Sequence, residues 1–453
     1  CNNNNNNNYN NNCNNNNNNN YNNNCNNNNN NNYNNNCNNN NNCNNNNNCN
    51  NNNNYNNNNN NNCNNNYNNN NNFNNNNNYN NNYNIKRENI EYIDNKNGKT
   101  IKENEYIFGN NNTKIKKTCL KPYGDTSYLN SVLQCLGNID VLKSHLLNNI
   151  DYFSRDIIKQ EKPLTFVFCR LFYHLSENDQ EIYDLEAFRY ALSYKNKLYN
   201  SQKRRNPIEL LFFLLNTLQE ELNRVKNRKQ NDNFDNLDRR NVIENGIISF
   251  KNANDSVISN NFNWFRLIEY RCMTCIKESY KLSSFNTYEL DILEAYKNTG
   301  KRNISLYDCL NSYSLKKTTF GFCNYCNQRT KMESRSSIYK SPNIFIFLIN
   351  SNNFNSDSRL GGTETELPNL KFNLDMIIYL NDFVENNNSP KKYELFGIVS
   401  LYNNKYASFC KSSDNCWYVY HEEIVEKSED KNVEFVHQNN KFIPCILFYK
   451  KMA

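Results

Sequence analysis

Four cysteines carry the plainest chemistry in the chain. Cys272 and Cys275 in "YRCMTCIKES" and Cys323 and Cys326 in "GFCNYCNQRT" make CxxC, a 47-residue gap, then CxxC again. Two residues between thiolates let one tight turn bring both sulfurs to a single metal ion, and two such turns complete a tetrahedral four-cysteine zinc site. Polar, loop-like residues bound both pairs, which sets them apart from buried free cysteines. A closed four-thiolate shell has no open position for water, so the expected Zn2+ is structural and not catalytic. It supplies roughly 10 to 16 kcal/mol of apparent binding free energy to the local fold.

A second candidate opens a helix. In "GDTSYLNSVLQCL", residues 124 to 136, Ser127 stands at the start, and Leu129, Val132, Leu133 and Leu136 follow at i, i+3, i+4 and i+7 on one face. As a nucleophile Ser127 needs a positioned general base, because a hydroxyl, unlike a thiol of pKa about 8.5, is not ionised near neutral pH. As a structural residue it caps the helix, its oxygen accepting from free N–H groups of the first turn. The capping role is the expected one.

A further helix follows in "NPIELLFFLLNTLQEEL". Asn206 is its expected N-cap, Pro207 its first helical residue and Glu209 the partner in a capping box, with Leu210, Leu211, Leu214, Leu215 and Leu218 as the buried stripe. Residues 227 to 261 turn polar and rich in Asn and Asp, as expected of a surface insertion. Beyond them "NIFIFLI", "ELFGIV", "CWYVY" and "PCILFY" are short β-branched and aromatic runs between polar loops, which reads as strands. Helices first and strands later predict an α+β domain beginning near Thr118.

The remaining sequence excludes several function classes. Residues 1 to 84 are asparagine broken only by single Cys, Tyr and Phe, and three copies of CNNNNNNNYNNN begin at Cys1, Cys13 and Cys25. Such a low-complexity tract buries too little apolar surface to offset its chain entropy, so it is expected to be disordered, and its seven cysteines form no site. It also depresses the mean hydropathy of −1.01. Residues 85 to 117 read as a linker. The first residue is Cys1, as expected of a fragment, a processed form or an incomplete gene product. The longest apolar runs, 209 to 218 and 343 to 349, are too short to span a bilayer, so no membrane is expected. The net charge of +7 falls entirely outside the tract and is only mildly basic. "KRR" at 203 to 205 and "RVKNRK" at 224 to 229 read as solvated surface, and nucleic acid is not expected as a direct ligand.

From residue 118 to about 450 the chain resembles the ubiquitin-specific protease family. That family's opening motif, G-L-x-N-x-G-N-T-C-Y-M-N-S-x-L-Q-x-L, lies over Cys119 to Leu136 as "CLKPYGDTSYLNSVLQCL". "RNPIELLFFLLNTLQEEL" is similar to its Q-D-A-x-E-F-L-x-x-L-L helix, and the CxxC pairs sit where its zinc-bearing fingers would be. "YELFGIVSLYNNKYASFC", "NCWYVYHEEIV" and "IPCILFY" resemble the closing palm strands, including Trp417 and Tyr418. The resemblance implies a papain-like cysteine-protease fold that grips ubiquitin. A thumb is expected over about 118 to 260, zinc-bearing fingers over about 262 to 335 and a palm over about 336 to 453.

It also implies where the catalytic residues fall, and there the chain departs from the pattern. The nucleophilic Cys falls on Ser127, the triad His on Lys405, the first acidic residue of W-x-x-F-D-D on His421, and the oxyanion-holding Asn on Pro122. For Lys405 to act as a base near pH 7, its pKa must fall about 3 units from 10.4, an environment worth roughly 4 to 5 kcal/mol. Pro122 offers neither a side-chain amide nor a backbone N–H to an oxyanion. The expected function is therefore a ubiquitin-binding or scaffold module, inactive as a protease, that is cytoplasmic or nuclear and works through ubiquitin, a ubiquitinated protein or a scaffold partner. The alternatives are a residual hydrolase using Ser127 with Lys405 or His421, and an inactive scaffold in RNA processing.

Overall fold

The computed structural model describes residues 91–94 and 99–102, and residues 117–452 apart from 178–180, 229–236, 350–369 and 387–390. The Asn-rich tract expected to be disordered lies outside the described residues. Within the expected linker, Glu91–Asp94 pairs antiparallel with Lys99–Lys102, so this stretch contains a hairpin. Among the described residues no helix is long and apolar enough to cross a membrane.

The thumb is helical and is built around Ser127–Gly137. All eleven residues of that helix are buried, because helices Pro163–Glu177 and Pro207–Leu222 and the palm strands pack around it. Its two buried amides serve as anchors: Asn130 Nδ2 donates to Leu120 O at 2.7 Å and Gln134 Nε2 to Thr118 O at 2.9 Å. Strand Cys119–Leu120 is thereby fixed along the helix and pairs with Ile182–Tyr183. Helix Pro207–Leu222 starts and buries its leucines as expected, with Asn206 Oδ1 accepting from Ile208 N–H at 2.8 Å. Its cap is this single bond and not the reciprocal box expected with Glu209, whose side chain is exposed.

The expected surface insertion at 227 to 261 contains real structure. Asp238 caps helix Arg239–Ala253 by accepting from Arg240 N–H and Asn241 N–H, and a Ser256/Ser259 capping box starts Val257–Phe262. Val242, Ile243, Ile258 and Phe262 are buried. Composition hid this, because four apolar residues spread over a polar stretch give a weak periodic signal.

The palm is one sheet running Ile424–Ser428, Trp417–His421, Lys405–Lys411, Lys392–Tyr402, Ile443–Lys451, Ile344–Ile349 and Tyr288–Leu290. Neighbours are antiparallel except the last pair, which is parallel. Strand Ile344–Ile349 is buried at every residue because the sheet is covered on both faces. Ile344, Ile346 and Leu348 enter the thumb core, while Phe345, Phe347 and Ile349 enter a second core with Trp264, Trp417 and Phe442. The fingers are a separate four-stranded sheet in the order Lys317–Cys323, Gln328–Lys340, Trp264–Cys272 and Glu278–Phe285. Thumb, palm and fingers carrying the four-cysteine cluster make this the α+β, papain-like fold that the resemblance implied.

Candidate functional site

The CxxC turns close the strand ends of the fingers sheet. Cys272 ends Trp264–Cys272 and Cys323 ends Lys317–Cys323, and the four sulfurs of Cys272, Cys275, Cys323 and Cys326 lie within 4.8 Å of one another. Cys272 Sγ is 3.6 Å from Cys326 Sγ, and Cys275 Sγ is 3.7 Å from Cys323 Sγ. A tetrahedral ion with Zn–S bonds of about 2.3 Å demands sulfur–sulfur edges of about 3.8 Å, so the spacing fits. Backbone N–H groups of Thr274 and Cys275 point at Cys272 Sγ, and that of Cys326 at Cys323 Sγ. The donation from Cys275, with that from Thr274, lowers the Cys272 pKa to about 6, toward the thiolate that ligates metal. Ile276 and Asn327, each just after the second cysteine of its pair, sit at φ 64° and 57°. A β-branched residue there is strained.

Ser127 is not the helix cap. It is the first helical residue, Thr126 occupies the cap position, and no side chain there makes a capping bond. Thr126 Oγ1 instead accepts from Tyr123 N–H at 2.9 Å. Ser127 Oγ accepts from Tyr406 N–H at 3.0 Å, a bond from palm to thumb across 279 residues of sequence. Ser127 is 5% exposed and lines a cavity of about 10 Å³ with Leu120, Asn130, Ser131, Tyr406, Ser408 and Glu422. That volume suits at most one water.

The loop carrying Pro122 is tied down on both sides. Lys121 N–H donates to Tyr183 O at 3.0 Å and Asp125 N–H to Gln202 O at 2.9 Å. Between them Gly124 takes φ +63°, where a Cβ would sit 3.0 Å from Gln202 Cβ, so a side chain there is both strained and crowded.

Lys405 begins its strand after a two-residue turn in which Asn403 and Asn404 have φ 45° and 59°, the asparagine-favoured hairpin geometry. Its Nζ lies 2.5 Å from Glu422 Oε2. His421 is buried, its ring set edge-on to Tyr402 with centroids 5.5 Å apart, and burial lowers its pKa. Its Nε2 has no hydrogen-bond partner among the described residues. Neither Lys405 nor His421 lines the cavity of Ser127.

The residue that does line it, and that sequence reasoning missed, is Glu422. Its signal is alternation along Trp417–His421. Trp417 and Val419 enter the second core, Tyr420 packs on the thumb core, and the acid following His421 joins Tyr420 at the cavity. The arrangement is a hydroxyl facing a carboxylate that is itself paired with an ammonium. It contains no imidazole.

A larger cleft adjoins this one. About 480 Å³ in volume, it is lined by Arg204, Arg205, Pro207, Glu209, Phe212, Glu289, Leu348, Tyr406 and Cys445, and it shares Tyr406 with the Ser127 cavity.

Comparison with known proteins agrees with this geometry. The chain is 24% identical over 332 residues to ubiquitin carboxyl-terminal hydrolase 4 of Arabidopsis thaliana, covering 69% of this chain and 85% of that protein. It is 23% identical over 370 residues to ubiquitin carboxyl-terminal hydrolase 12 of Salmo salar, covering 77% and 90%. The fold is similar to the yeast SAGA DUB module. The Ubp8/Sgf11/Sus1/Sgf73 module bound to monoubiquitin matches with a TM-score of 0.54 and 19% identity over 76% of this chain and 72% of that one. The family profile described as ubiquitin carboxyl-terminal hydrolase matches residues 118–449, and the chain belongs to that family.

Proposed function

We propose that this domain binds ubiquitin, or a protein carrying it, without cleaving the bond, and that structural Zn2+ held by Cys272, Cys275, Cys323 and Cys326 keeps its fingers in shape. The observation that carries the reading is the state of Ser127. Its oxygen is engaged by the Tyr406 N–H, and neither Lys405 nor His421 reaches its cavity. A hydroxyl needs a positioned general base to attack an amide, and the one carboxylate in its cavity, Glu422, is taken up by Lys405. Pro122 adds no donor for an oxyanion, and one missing donor typically costs on the order of 100 to 1000 fold in rate. The thumb, palm and fingers support the binding reading, since the similar Ubp8/Sgf11/Sus1/Sgf73 module is bound to monoubiquitin.

The test sets binding beside turnover on the full chain. Fluorescent ubiquitin is titrated against it, and ubiquitin with a C-terminal fluorogenic amide is followed for release. Binding without turnover is expected. Turnover that disappears in Ser127→Ala overturns the inactive reading, and no binding of ubiquitin overturns the binding one. The fourfold reversion Ser127→Cys, Lys405→His, His421→Asp and Pro122→Asn serves as a control, since activity gained there means that the scaffold still aligns a substrate.

A further inference from the structure

The cleft beside Ser127 has an unusual wall. Arg204 and Arg205 stand on it together, next to Tyr406. Arg204 donates through a guanidinium nitrogen to Asn404 O, which ties the thumb loop to the palm hairpin at the edge of the cleft. Arg205 is half-buried, and its Nε is buried with no hydrogen-bond partner among the described residues. Glu209 and Glu289 also line the cleft, yet neither is bonded to that Nε. A half-buried guanidinium whose Nε is left unmatched, beside a second arginine on the same wall, favours a planar anion that can accept parallel N–H bonds. An amide carbonyl at the same place is neutral and takes little from that field.

We infer that the cleft is built for a free peptide C-terminal carboxylate, so that the domain distinguishes unattached ubiquitin from ubiquitin whose C-terminus is tied up in an amide. This rests on the ubiquitin-binding reading above and sharpens it: the ligand is the product of the family's reaction, held by Arg204 and Arg205, and not its substrate. Position supports the assignment. Tyr406, whose N–H donates to Ser127 Oγ, also lines this cleft, so a chain end lying against the arginines stops beside the position that corresponds to the family's nucleophile.

The test uses the full chain and three ubiquitin probes: one with a free C-terminal carboxylate, one with a C-terminal amide, and one lacking its last two residues. The carboxylate form should bind about 10 to 100 fold more tightly than the amide, the range for a charged hydrogen-bonded contact. The preference should shrink in high salt. The double variant Arg204→Gln, Arg205→Gln should bind carboxylate and amide alike while retaining the wild-type far-UV spectrum and unfolding midpoint. Equal binding of carboxylate and amide by the wild type, or a preference that survives in the folded double variant, overturns this inference and leaves the ubiquitin reading standing. Binding of none of the three probes overturns the ubiquitin reading and this one with it. Should the double variant fail to fold, Arg205→Lys keeps the charge but loses the bidentate fork, and an undiminished preference there counts against the inference.

Discussion

The metal site allows the largest single effect to be worked out in advance. Among the described residues the buried apolar cluster around the sulfurs is Cys272, Cys323 and Met332, with Tyr270, Cys275 and Cys326 partly buried against it. Burying Met332 is worth roughly 1.5 to 3 kcal/mol. Strand Glu278–Phe285 has no fully buried residue, so it adds little. Structural zinc in such a site would contribute roughly 10 to 16 kcal/mol, several times the packing term, against which the strained φ of Ile276 is set. Chelation, or Cys323→Ser, should therefore unfold the tip of the fingers while the palm persists. The assay is metal content by mass spectrometry together with amide exchange. One zinc per chain is expected, with exchange rising over residues 270–277 and 321–332 upon chelation and staying slow over Ile344–Ile349, which is buried throughout. A chain that binds no zinc, or one whose fingers exchange at the same rate after chelation, refutes the reasoning.

Other perturbations have calculable outcomes. Ser127→Ala strands the Tyr406 N–H that Ser127 Oγ now accepts, and denaturant unfolding should show a loss of about 1 to 3 kcal/mol; no loss means that water replaces the serine at no cost. Leu214→Ala removes a fully buried leucine of the Pro207–Leu222 helix and should cost about 2 to 5 kcal/mol by the same measurement. His437 is buried, with Nδ1 at 2.7 Å from Val433 O and Nε2 at 2.8 Å from Ser400 Oγ. The carbonyl can only accept, so Nδ1 carries the proton and Nε2 accepts from the Ser400 hydroxyl. Burial lowers its pKa to about 4 from 6.5, so the unfolded chain takes up the proton first. The stability it contributes is fully present above pH 6.5 and is lost as pH falls toward 4, about 3 kcal/mol in all. In His437→Gln that part of the pH dependence should vanish, and an unchanged slope between pH 6.5 and 4 counts against it.

Much of the fold was legible because the decisive residues repeat at the period of their element. The leucines of Pro207–Leu222 and the i, i+3, i+4, i+7 set of Ser127–Gly137 are buried as the spacing requires. The all-apolar run Ile344–Ile349 needed a sheet covered on both faces. The CxxC pairs announced their cluster by spacing alone. The helix Arg239–Ala253 was not legible, since its burial rests on a few residues against Glu278–Phe285 and not on a full apolar stripe. The cap of Ser127–Gly137 was misread for a different reason. A serine at a helix start suits capping generally, but here a strand from 279 residues away supplies the donor, and local propensity carries no trace of that.

The site shows how a motif position and a side-chain direction come apart. Matching the family pattern identifies His421 as the place of the acidic residue, yet along Trp417–His421 the odd positions Trp417 and Val419 face the core away from the thumb, and the cavity of Ser127 receives Tyr420 and Glu422. Glu422 is already bonded to Lys405. If the contacts decide, a carboxylate placed at 421 adds nothing, and the minimal restoration of a thiol–imidazole–carboxylate chain is Ser127→Cys with Lys405→His, with Glu422 orienting the new imidazole as it now holds the ammonium. The double variant should then release a C-terminal ubiquitin reporter at a low but measurable rate. Adding His421→Asp should leave that rate within about twofold, while adding Glu422→Gln should reduce it by on the order of 10 fold or more, the scale of losing an orienting carboxylate. The opposite pattern, a gain from His421→Asp and indifference to Glu422→Gln, gives the role back to the motif position and means that the hairpin turn at Glu422, with its φ of 60°, rearranges when substrate enters.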